Sequence, residues 1–243
     1  MAVAVISDVH GNLPALQAVL ADIAAEGFES IVSAGDLASG PMPAECIELL
    51  ASSHIDVDYV MGNTDRGVIA AFDTRKAGMA PEDDAHPIDQ FAATRITEMH
   101  RDMLDAFRPT VTVGGALVCH GSPASDEFVV TMKSPRERVE RAAREAAAPV
   151  IVGGHVHHQF TSPAGPGRIW VNAGSVGMPY EGAPGAYWLA LTESGPEHRR
   201  TSYDVEAAIS AISATGYPSL SELARILRGQ ISAEDAASAF EPA

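Results

Sequence analysis

The segment VAVISDVHGN, residues 3–12, begins as an apolar run and ends in an aspartate, a histidine and a Gly-Asn pair. Val3–Ile6 is predicted to be a buried strand, and Asn12 is a suitable cap for a helix that follows. Burial of Asp8 and His10 costs free energy unless a partner satisfies both side chains. That partner is the other side chain, the backbone or a metal ion, and the rest of the chain must distinguish these cases.

Strands and helices alternate in the sequence beyond this segment. Ser30–Ser33 and Val57–Met61 are predicted strands, and Pro43–Ser52 is a predicted helix between them. This β-α-β-α-β order favours a largely parallel sheet with helices on its faces, and therefore an α/β fold. Later in the chain, Thr110–Cys119 alternates around two glycines, which predicts a hairpin. Val150–Gly153 is a further predicted buried strand.

The 243 residues are expected to form a single domain over 1–243. Asp73–Pro87 is polar and irregular, and Ile88–Phe107 has a long helical pattern. Together they are expected to form a lid at 73–107. The tail at 204–243 is predicted to be helical, and it could cover a sheet or mediate a homo-oligomer.

The bulk composition limits the partners. A formal net charge of -16 repels polyanions, so neither long nucleic acid nor an anionic membrane is expected as a partner. A small phosphoester substrate stays compatible with this charge if local cations offset it. The two cysteines imply no disulfide framework, and no segment has the composition of a membrane span. We therefore expect a cytoplasmic protein.

Polar residues follow an apolar run at five places, where predicted strands end. The five motifs are Asp8-Val9-His10, Gly35-Asp36, Gly62-Asn63-Thr64-Asp65, Cys119-His120-Gly121 and Gly153-Gly154-His155-Val156-His157-His158. Ligands of open α/β sheets bind beyond the carboxyl ends of the strands. Each motif alone is an ordinary turn or a satisfied histidine. Five repetitions of the same device favour a shared site at one edge of the sheet.

The donor types of these motifs indicate a metal centre. Carboxylate, imidazole and amide oxygen donors suit Mn²⁺, Fe, Zn²⁺ and similar ions, and no thiolate is needed. One carboxylate, most plausibly that of Asp36, can bridge two cations about 3.5–4 Å apart. Such a pair of ions is suited to the hydrolysis of phosphate esters.

In this order, the five motifs resemble those of the calcineurin-like metallophosphoesterase family. The stretches DVHGNLPAL, VNAGSVG and GHVHHQF are most similar to its small bacterial phosphodiesterase branch. The resemblance covers Asp8 to His157, and the strand-rich segment through Tyr203 fits the same fold. It implies a four-layer sandwich of two mixed β-sheets flanked by helices.

The resemblance also implies two divalent metal ions and their ligands, and every ligand position is filled in this chain. The first ion would bind Asp8, His10, Asp36 and His157, and the second would bind Asp36, Asn63, His120 and His155. Mn²⁺ is the preferred ion, with Fe, Zn²⁺, Ni²⁺ and Co²⁺ as alternatives. A metal-bridging hydroxide would attack phosphorus, and Asp36, Asn63, Thr64 and Asp65 are the predicted catalytic residues.

Thr64 departs from the family pattern. Many members of the family have a histidine after Gly-Asn, which is proposed to protonate the leaving group or to hold the phosphate. A threonine hydroxyl can hydrogen-bond a phosphate but is not an acid near neutral pH. Arg66, His86 and His158 are the alternatives for phosphate contact or proton transfer. Asn172–Gly177 is expected to be a tight glycine turn that packs under the metal loop.

The predicted function is therefore that of a dinuclear phosphodiesterase for small nucleotide-like diesters, with cyclic nucleotides, including 2′,3′-cyclic ones, preferred. Phosphomonoesters, phosphoproteins and dinucleoside polyphosphates are the alternative substrates. A non-catalytic metal-binding scaffold is the second hypothesis, and the complete ligand set argues against it. A metallohydrolase of the lactamase type would need a His-x-His-x-Asp-His run, and Gly-His-Val-His-His lacks the aspartate.

Overall fold

Two five-stranded β-sheets pack face to face at the centre of the fold, in a computed structural model that describes residues 2–81 and 85–241. The strands are β1 Val3–Ile6, β2 Ser30–Ser33, β3 Asp56–Tyr59, β4 Thr110–Val113, β5 Ala116–Cys119, β6 Val150–Gly153, β7 Phe160–Pro163, β8 Ile169–Asn172, β9 Ala186–Thr192 and β10 Gly195–Thr201. The first sheet has the order β10-β9-β1-β2-β3, and the second has the order β4-β5-β6-β8-β7. Both sheets are mixed, because β1, β2 and β3 run parallel and β9 joins them antiparallel, while β5, β6 and β8 run parallel and β4 and β7 do not.

Helices cover the outer faces of both sheets. They are α1 Leu13–Glu26, α2 Pro43–Ala51, α3 Asn63–Lys76, α4 Pro87–Ala93, α5 Glu98–Asp105, α6 Arg136–Ala142, α7 Val205–Ala214, α8 Leu220–Leu227 and α9 Ala233–Phe240. The first five contribute buried side chains to the core on the outer face of the first sheet. α6 packs on the second sheet, and α7 and α8 form a smaller cluster of their own. The predicted four-layer α/β sandwich is confirmed. None of the described helices combines the length and apolar composition that a bilayer crossing requires.

The sequence of β1 explains its central place in the first sheet. Val3 and Val5 contribute to the core between the two sheets, while Ala4 and Ile6 contribute to the core under the helices. A strand that is buried on both faces has a continuous apolar sequence rather than an alternating one. Val3–Ile6 satisfies this requirement with all of its residues fully buried.

Several predicted elements agree with the structure. The predicted bounds of β1, β2 and β6 are those observed, and β4 and β5 form the predicted hairpin. The predicted continuous helical pattern over Ile88–Phe107 was wrong, because the chain forms two helices there. The Thr94 side chain donates to the Phe91 carbonyl at the end of α4, and Thr97 caps α5 by accepting from the His100 N–H.

The predicted lid is partly built into the core. Its first residues, from Asp73, continue α3, which the sequence analysis did not identify as a helix. Ala92 and Leu104, from α4 and α5, are fully buried in the core of the first sheet. Residues 82–84 of the predicted lid lie outside the described residues. Whether the remaining segment acts as a lid stays a prediction.

The turn Asn172–Gly177 packs beneath the first metal loop, where it was expected. The Val176 and Gly177 N–H groups donate to the carbonyls of Ser7 and Asp8, both at 3.0 Å. A Cβ atom at Gly177 would lie 1.8 Å from the Val9 carbonyl oxygen. Only glycine therefore permits this close approach of two backbone segments.

We expect Gly177→Ala to lower the free energy of unfolding by about 3 kcal/mol or more, because the two segments must separate. Gly78→Ala is the control, since Gly78 has φ +69° and open space around its Cβ position. That control should cost only about 1–2 kcal/mol of backbone strain. Urea denaturation measures the free energy of unfolding of both variants. Equal decreases in the two variants would contradict the close-packing argument.

Candidate metal centre

Ligand-type side chains from both sheets meet at one edge of the sandwich. Two groups of side chains bring their donor atoms within 4.8 Å of one another: Asp8, His10, Asp36 and His157, and Asp36, His120 and His155. Asp36 is common to both groups. These are the residues that the resemblance assigned to two ions, with Asn63 the one remaining predicted ligand.

Backbone hydrogen bonds hold the first two metal loops side by side. The Asp8 N–H donates to the Gly35 carbonyl at 3.0 Å, and the His10 N–H donates to the Asp36 carbonyl at 2.9 Å. The parallel pairing of Ile6 with Ser33 sets this register, because the strands end level with each other. The loops that carry Asp8 and Asp36 are therefore aligned by main-chain hydrogen bonds.

Both carboxylates accept structural hydrogen bonds and still place one oxygen toward a histidine, and the His155 N–H donates to both oxygens of Asp8 at 3.2 and 3.1 Å. Oδ1 of Asp36 accepts from the Thr64 N–H at 2.9 Å, and its Oδ2 lies 3.3 Å from His120 Nε2 and 3.6 Å from His10 Nε2. Oδ2 of Asp8 accepts from Ser7 Oγ at 2.5 Å, and its Oδ1 lies 3.2 Å from His157 Nε2. Oδ2 of Asp36 thus lies between the two groups, as a bridging ligand would.

Three histidines are oriented by hydrogen bonds from their Nδ1 atoms to backbone carbonyls. Nδ1 of His10, His120 and His157 lies 3.0, 2.8 and 2.9 Å from the carbonyl oxygens of Ser39, Ala34 and Met178. A carbonyl only accepts, so each Nδ1 carries a proton, and in the neutral ring Nε2 presents a lone pair. Such second partners fix the tautomer and direction of metal-binding histidines.

The contact between His10 and His157 tests whether these residues fit a cation. Their Nε2 atoms face each other at 3.2 Å, and both Nδ1 protons are already used on carbonyls. Two lone pairs at this distance repel each other unless a positive charge lies between them. Asp8 Oδ1 lies 3.2 Å from one of the two nitrogens, which completes a cation-binding geometry. The residues present therefore fit a metal ion.

The second group is completed by an amide. Asn63 Oδ1 lies 3.0 Å from His120 Nε2, and Asp36 Oδ2 lies 3.3 Å from the same nitrogen. Asn63 is the first residue of α3, and Gly62 before it leaves room for Asp36, since a Cβ there would lie 2.2 Å from Asp36 Oδ1. His155 follows β6 of the second sheet, and its ring centroid lies 5.1 Å from that of His120, which follows β5 of the same sheet.

Backbone strain is concentrated on the ligands. Among the described residues, the non-glycine residues with positive φ are Asp8, His10, Asp36, His155 and His157, at +53°, +45°, +56°, +70° and +60°. The left-handed conformation costs roughly 1–2 kcal/mol for each such residue. Strain of this kind persists only where the surroundings impose it, and it is characteristic of functional sites. The sequence gives no signal for this feature.

Two of the buried side chains in the cluster already have the protonation state that metal binding requires, and a third does not. Burial favours a higher pKa for Asp36, but the nearby His120 and His10 lower that pKa far below its usual value. Burial, reinforced by His120, lowers the pKa of His155 to about 4. Burial also lowers the pKa of His120, but the Asp36 carboxylate outweighs it and raises that pKa to about 10. Metal binding would therefore displace a proton from His120, whereas Asp36 and His155 already have their ligand forms.

Of the two neighbouring residues Thr64 and Asp65, the first faces the cavity and the second is buried. Thr64 lies on the wall of the cavity in front of the metal ligands, and its hydroxyl has no hydrogen-bond partner among the described residues. Asp65 is fully buried and accepts from the N–H groups of Leu37, Ala38 and Gly62 at 2.9–3.3 Å. Asp65 therefore holds the metal loops together from beneath and does not face the cavity.

Of the alternatives to Thr64 for proton transfer, one lines the cavity. His86 does so, and its Nδ1 accepts from the Ile88 N–H, so its Nε2 carries the proton in the neutral ring. The Arg66 guanidinium is occupied by Asp126 and Glu127 at 2.9–3.0 Å. His158 is fully buried and makes its hydrogen bonds to backbone groups.

A cavity of about 510 Å³ opens in front of the ligands. Its described lining residues are His10, Ser39, Asn63, Thr64, His86, Pro87, Ile88, Asp89, Met178, Tyr180, Ser219 and Glu222. Neither lysine nor arginine occurs among them, and Asp89 and Glu222 are acidic. The volume is within the range of sites for small molecules.

The fold and this centre define the chain as a two-sheet metallophosphoesterase-type protein. The family model for the calcineurin-like phosphoesterase superfamily domain matches residues 1–195. The chain therefore belongs to the calcineurin-like phosphoesterase superfamily, whose members are phosphoesterases that use divalent metal ions. The predicted family is confirmed, and membership supports hydrolysis of phosphate esters.

Solved structures share the architecture over almost the whole chain. A metallophosphoesterase from Sphaerobacter thermophilus is 25% identical, covers 94% of this chain and 100% of its own, and has a TM-score of 0.75. The hypothetical protein PH1004 from Pyrococcus horikoshii OT3 is 18% identical, covers 93% and 97% of the two chains, and has a TM-score of 0.77. The second likeness shows the fold alone.

A curated relative matches a shorter stretch. The uncharacterized protein MJ0912 from Methanocaldococcus jannaschii is 46% identical over 68 residues. Those residues are 28% of this chain and 27% of the relative, so the match spans about a quarter of the relative's length. This likeness is local and carries no statement about activity.

We expect removal of metal to lower thermal stability, because ions relieve the repulsion among the buried donors. Chelation should lower the free energy of unfolding by about 4 kcal/mol for each ion that was held at a concentration a thousandfold above its Kd, and each such loss corresponds to roughly 8–16 °C in Tm. Scanning calorimetry of chelated and Mn²⁺-restored protein measures the difference.

Two substitutions make this measurement specific to the centre. Asp36→Asn should lose most of the metal-dependent increase in Tm, because it removes the charge shared by both groups. Asp58→Asn, at an exposed carboxylate paired with Arg108, should keep that increase. Equal increases in both variants would contradict the assignment of Asp36.

Proposed function

We propose that the protein is a dinuclear metal-dependent phosphodiesterase that hydrolyses small nucleotide-like diesters. The observation that carries the proposal is the charge of the cavity, which contains acidic residues and neither lysine nor arginine among its described lining residues. The substrate anion would therefore be balanced by the ions alone. Such a site favours the substrate with the smallest negative charge.

The charge of the substrate separates the candidate esters. A phosphodiester has a single negative charge, whereas a phosphomonoester has about -1.5 to -2 at neutral pH. A polyphosphate has more charge still and extends beyond the ions, toward Asp89 and Glu222. Repulsion from these side chains disfavours monoesters and polyphosphates. A net charge of -16 over the whole chain acts in the same direction.

The chain's own residues would bind and orient the substrate. When bound, two divalent ions supply Lewis-acid activation of water and of the phosphoryl group. Asp36 would hold both ions, and Asn63 would fix the second beside the start of α3. The N-terminus of a helix favours an anion, and α3 begins at Asn63. The unpartnered hydroxyl of Thr64 can turn to donate to a phosphate oxygen.

The leaving oxygen requires either a proton or a low basicity. Thr64 cannot supply a proton, whereas His86 lines the same cavity and carries a proton on Nε2. Cyclic nucleotides, including 2′,3′-cyclic ones, are the preferred substrates, because ring strain reduces the demand on an acid. The cavity volume of about 510 Å³ accepts a molecule of this size.

The test is metal-stripped protein assayed after Mn²⁺ is restored. We expect kcat/KM for bis-p-nitrophenyl phosphate to exceed that for p-nitrophenyl phosphate by about tenfold or more, because the second charge of the monoester meets no balancing side chain. Both esters release p-nitrophenolate, so the leaving group is held constant. Asp36→Asn should lower both rates by at least about a hundredfold.

Each other outcome has a distinct meaning. A preference for the monoester would contradict the charge argument and favour a phosphomonoesterase. Near-normal turnover by Asp36→Asn would contradict the dinuclear centre. Absence of hydrolysis of both esters and of cyclic nucleotides, although two ions bind, would favour the scaffold hypothesis.

We expect Thr64→His to accelerate diesters with basic leaving groups by about tenfold or more, because the imidazole adds a proton donor. Esters of p-nitrophenol should change much less. Kinetics over a series of leaving groups measure this difference as a change in slope. Thr64→Asn is the matched control, since it is polar but does not titrate near neutral pH. A uniform effect over the series would contradict the role given to position 64.

A further inference from the structure

A second cavity, of about 370 Å³, lies next to the metal centre and is built largely from the C-terminal helix. Its described lining residues are Tyr180, Ile231, Asp235, Ala236, Ala239 and Phe240. Three of these are aliphatic and two are aromatic, and Asp235 is the charged one. The sequence analysis assigned no function to this helix.

The aromatic rings connect this cavity to the metal ligands. Tyr180 lines both cavities, and its ring stacks on that of His157 with centroids 5.0 Å apart and an interplanar angle of 14°. The Phe240 ring lies 6.3 Å from His155 and 6.1 Å from Tyr180. A molecule whose phosphate lies at the ions therefore has these two rings within reach.

The position of Phe240 is fixed by its neighbours. Glu241 accepts hydrogen bonds from the hydroxyls of Thr131 and Ser134, the former at 2.6 Å. Lys133 binds α9 on another side, with its Nζ 3.3 Å from Glu234 Oε1. These contacts attach both the start and the end of α9 to the loop before α6, so the ring is held in place before any substrate arrives.

We propose that Tyr180 and Phe240 form an aromatic shelf that stacks the nucleobase of the substrate while its phosphodiester lies at the metal centre. This inference rests on the proposed function and names the substrate class more narrowly. Aromatic side chains bind bases of any sequence through their flat faces. Two rings beside an apolar wall provide such a surface.

The charge around the shelf argues for an uncharged occupant. Asp235 lies on the wall of this cavity, Glu222 lies on the wall of the adjoining one, and no lysine or arginine is among the described lining residues of either. A second phosphate placed there would meet carboxylates without a balancing cation. A neutral base meets apolar carbon and ring faces, so a mononucleotide diester suits the two cavities better than a dinucleoside polyphosphate.

The test compares two cyclic diesters, of which only one has a nucleoside. Adenosine 2′,3′-cyclic phosphate and glycerol 1,2-cyclic phosphate share a five-membered cyclic diester, and only the first has a base. The wild-type protein with Mn²⁺ should prefer the adenosine ester in kcat/KM. Phe240→Ala should reduce that preference by roughly tenfold, the loss typical of one stacked base.

Two further variants separate stacking from simple packing. Phe240→Leu keeps apolar bulk but has no ring, and it should lose the preference as Phe240→Ala does. Phe240→Trp should keep it. Met99→Ala removes an exposed apolar side chain, 62% accessible and outside both cavities, and should leave the preference intact. If Phe240→Leu retained the full preference, the aromatic shelf would be refuted in favour of a packing role.

Binding of a product separates failure of the shelf from failure of the proposed function. If neither cyclic ester nor bis-p-nitrophenyl phosphate is hydrolysed, the proposed function fails, and titration calorimetry with adenosine 3′-monophosphate tests the shelf alone. A Kd weakened roughly tenfold by Phe240→Ala and retained in Phe240→Trp would support it. Equal Kd values in the wild type and Phe240→Ala would overturn it.

Discussion

The arrangement around Asp36 Oδ2 imposes the strongest constraint on the fold. This oxygen lies between His10 and His120, and the Asp36 carboxyl is almost fully buried. A buried carboxylate of this kind needs compensating positive charge. Several elements place groups around this oxygen. They are the strand ends of both sheets, the carbonyls that orient the histidines, and the start of α3. The sandwich is a means of bringing them to one edge.

Two kinds of support hold the centre, and neither involves the ions. The first is main-chain pairing between adjacent metal loops, continued by the turn that packs under them at Gly177. The second is the buried Asp65, which accepts hydrogen bonds from Leu37, Ala38 and Gly62 and so joins two loops from below. The hydrogen bonds and packing that hold the loops also keep the backbone of the predicted ligands in a strained conformation. Such strain persists only because the surrounding structure is rigid.

The sequence was informative where chemistry and local pattern coincide. Apolar runs followed by Asp or His located the ends of β1, β2 and β6, since buried parallel strands have this composition. The motifs predicted Asp36 as the bridging ligand and Asp65 as a catalytic residue, but they could not show that the Asp65 carboxyl is fully buried beneath the loops. Their difference lies in what surrounds each carboxyl. The break between α4 and α5 depends on side chains of Thr94 and Thr97 that also fit a helical pattern.

Tyr180 and Phe240 could not have been paired from the sequence. They are separated by 60 positions, and a single aromatic residue in a helical tail is more often a packing residue than a ligand contact. The attachment of α9 to the loop before α6 helps to bring Phe240 to the metal side of the sandwich. Long-range proximity of this type leaves no local signature.

The position of α9 also bears on how this chain could diversify. The matched family model ends at residue 195, and all the proposed metal ligands lie before that point, whereas Phe240 lies well beyond it. Under the proposed shelf, bond-breaking chemistry and Tyr180 belong to the matched stretch, whereas the second shelf residue, Phe240, lies outside it. Substitutions in the terminal helices could then change which ester is hydrolysed without altering the proposed metal ligands. Substrate specificity could therefore change while the rest of the fold stays the same.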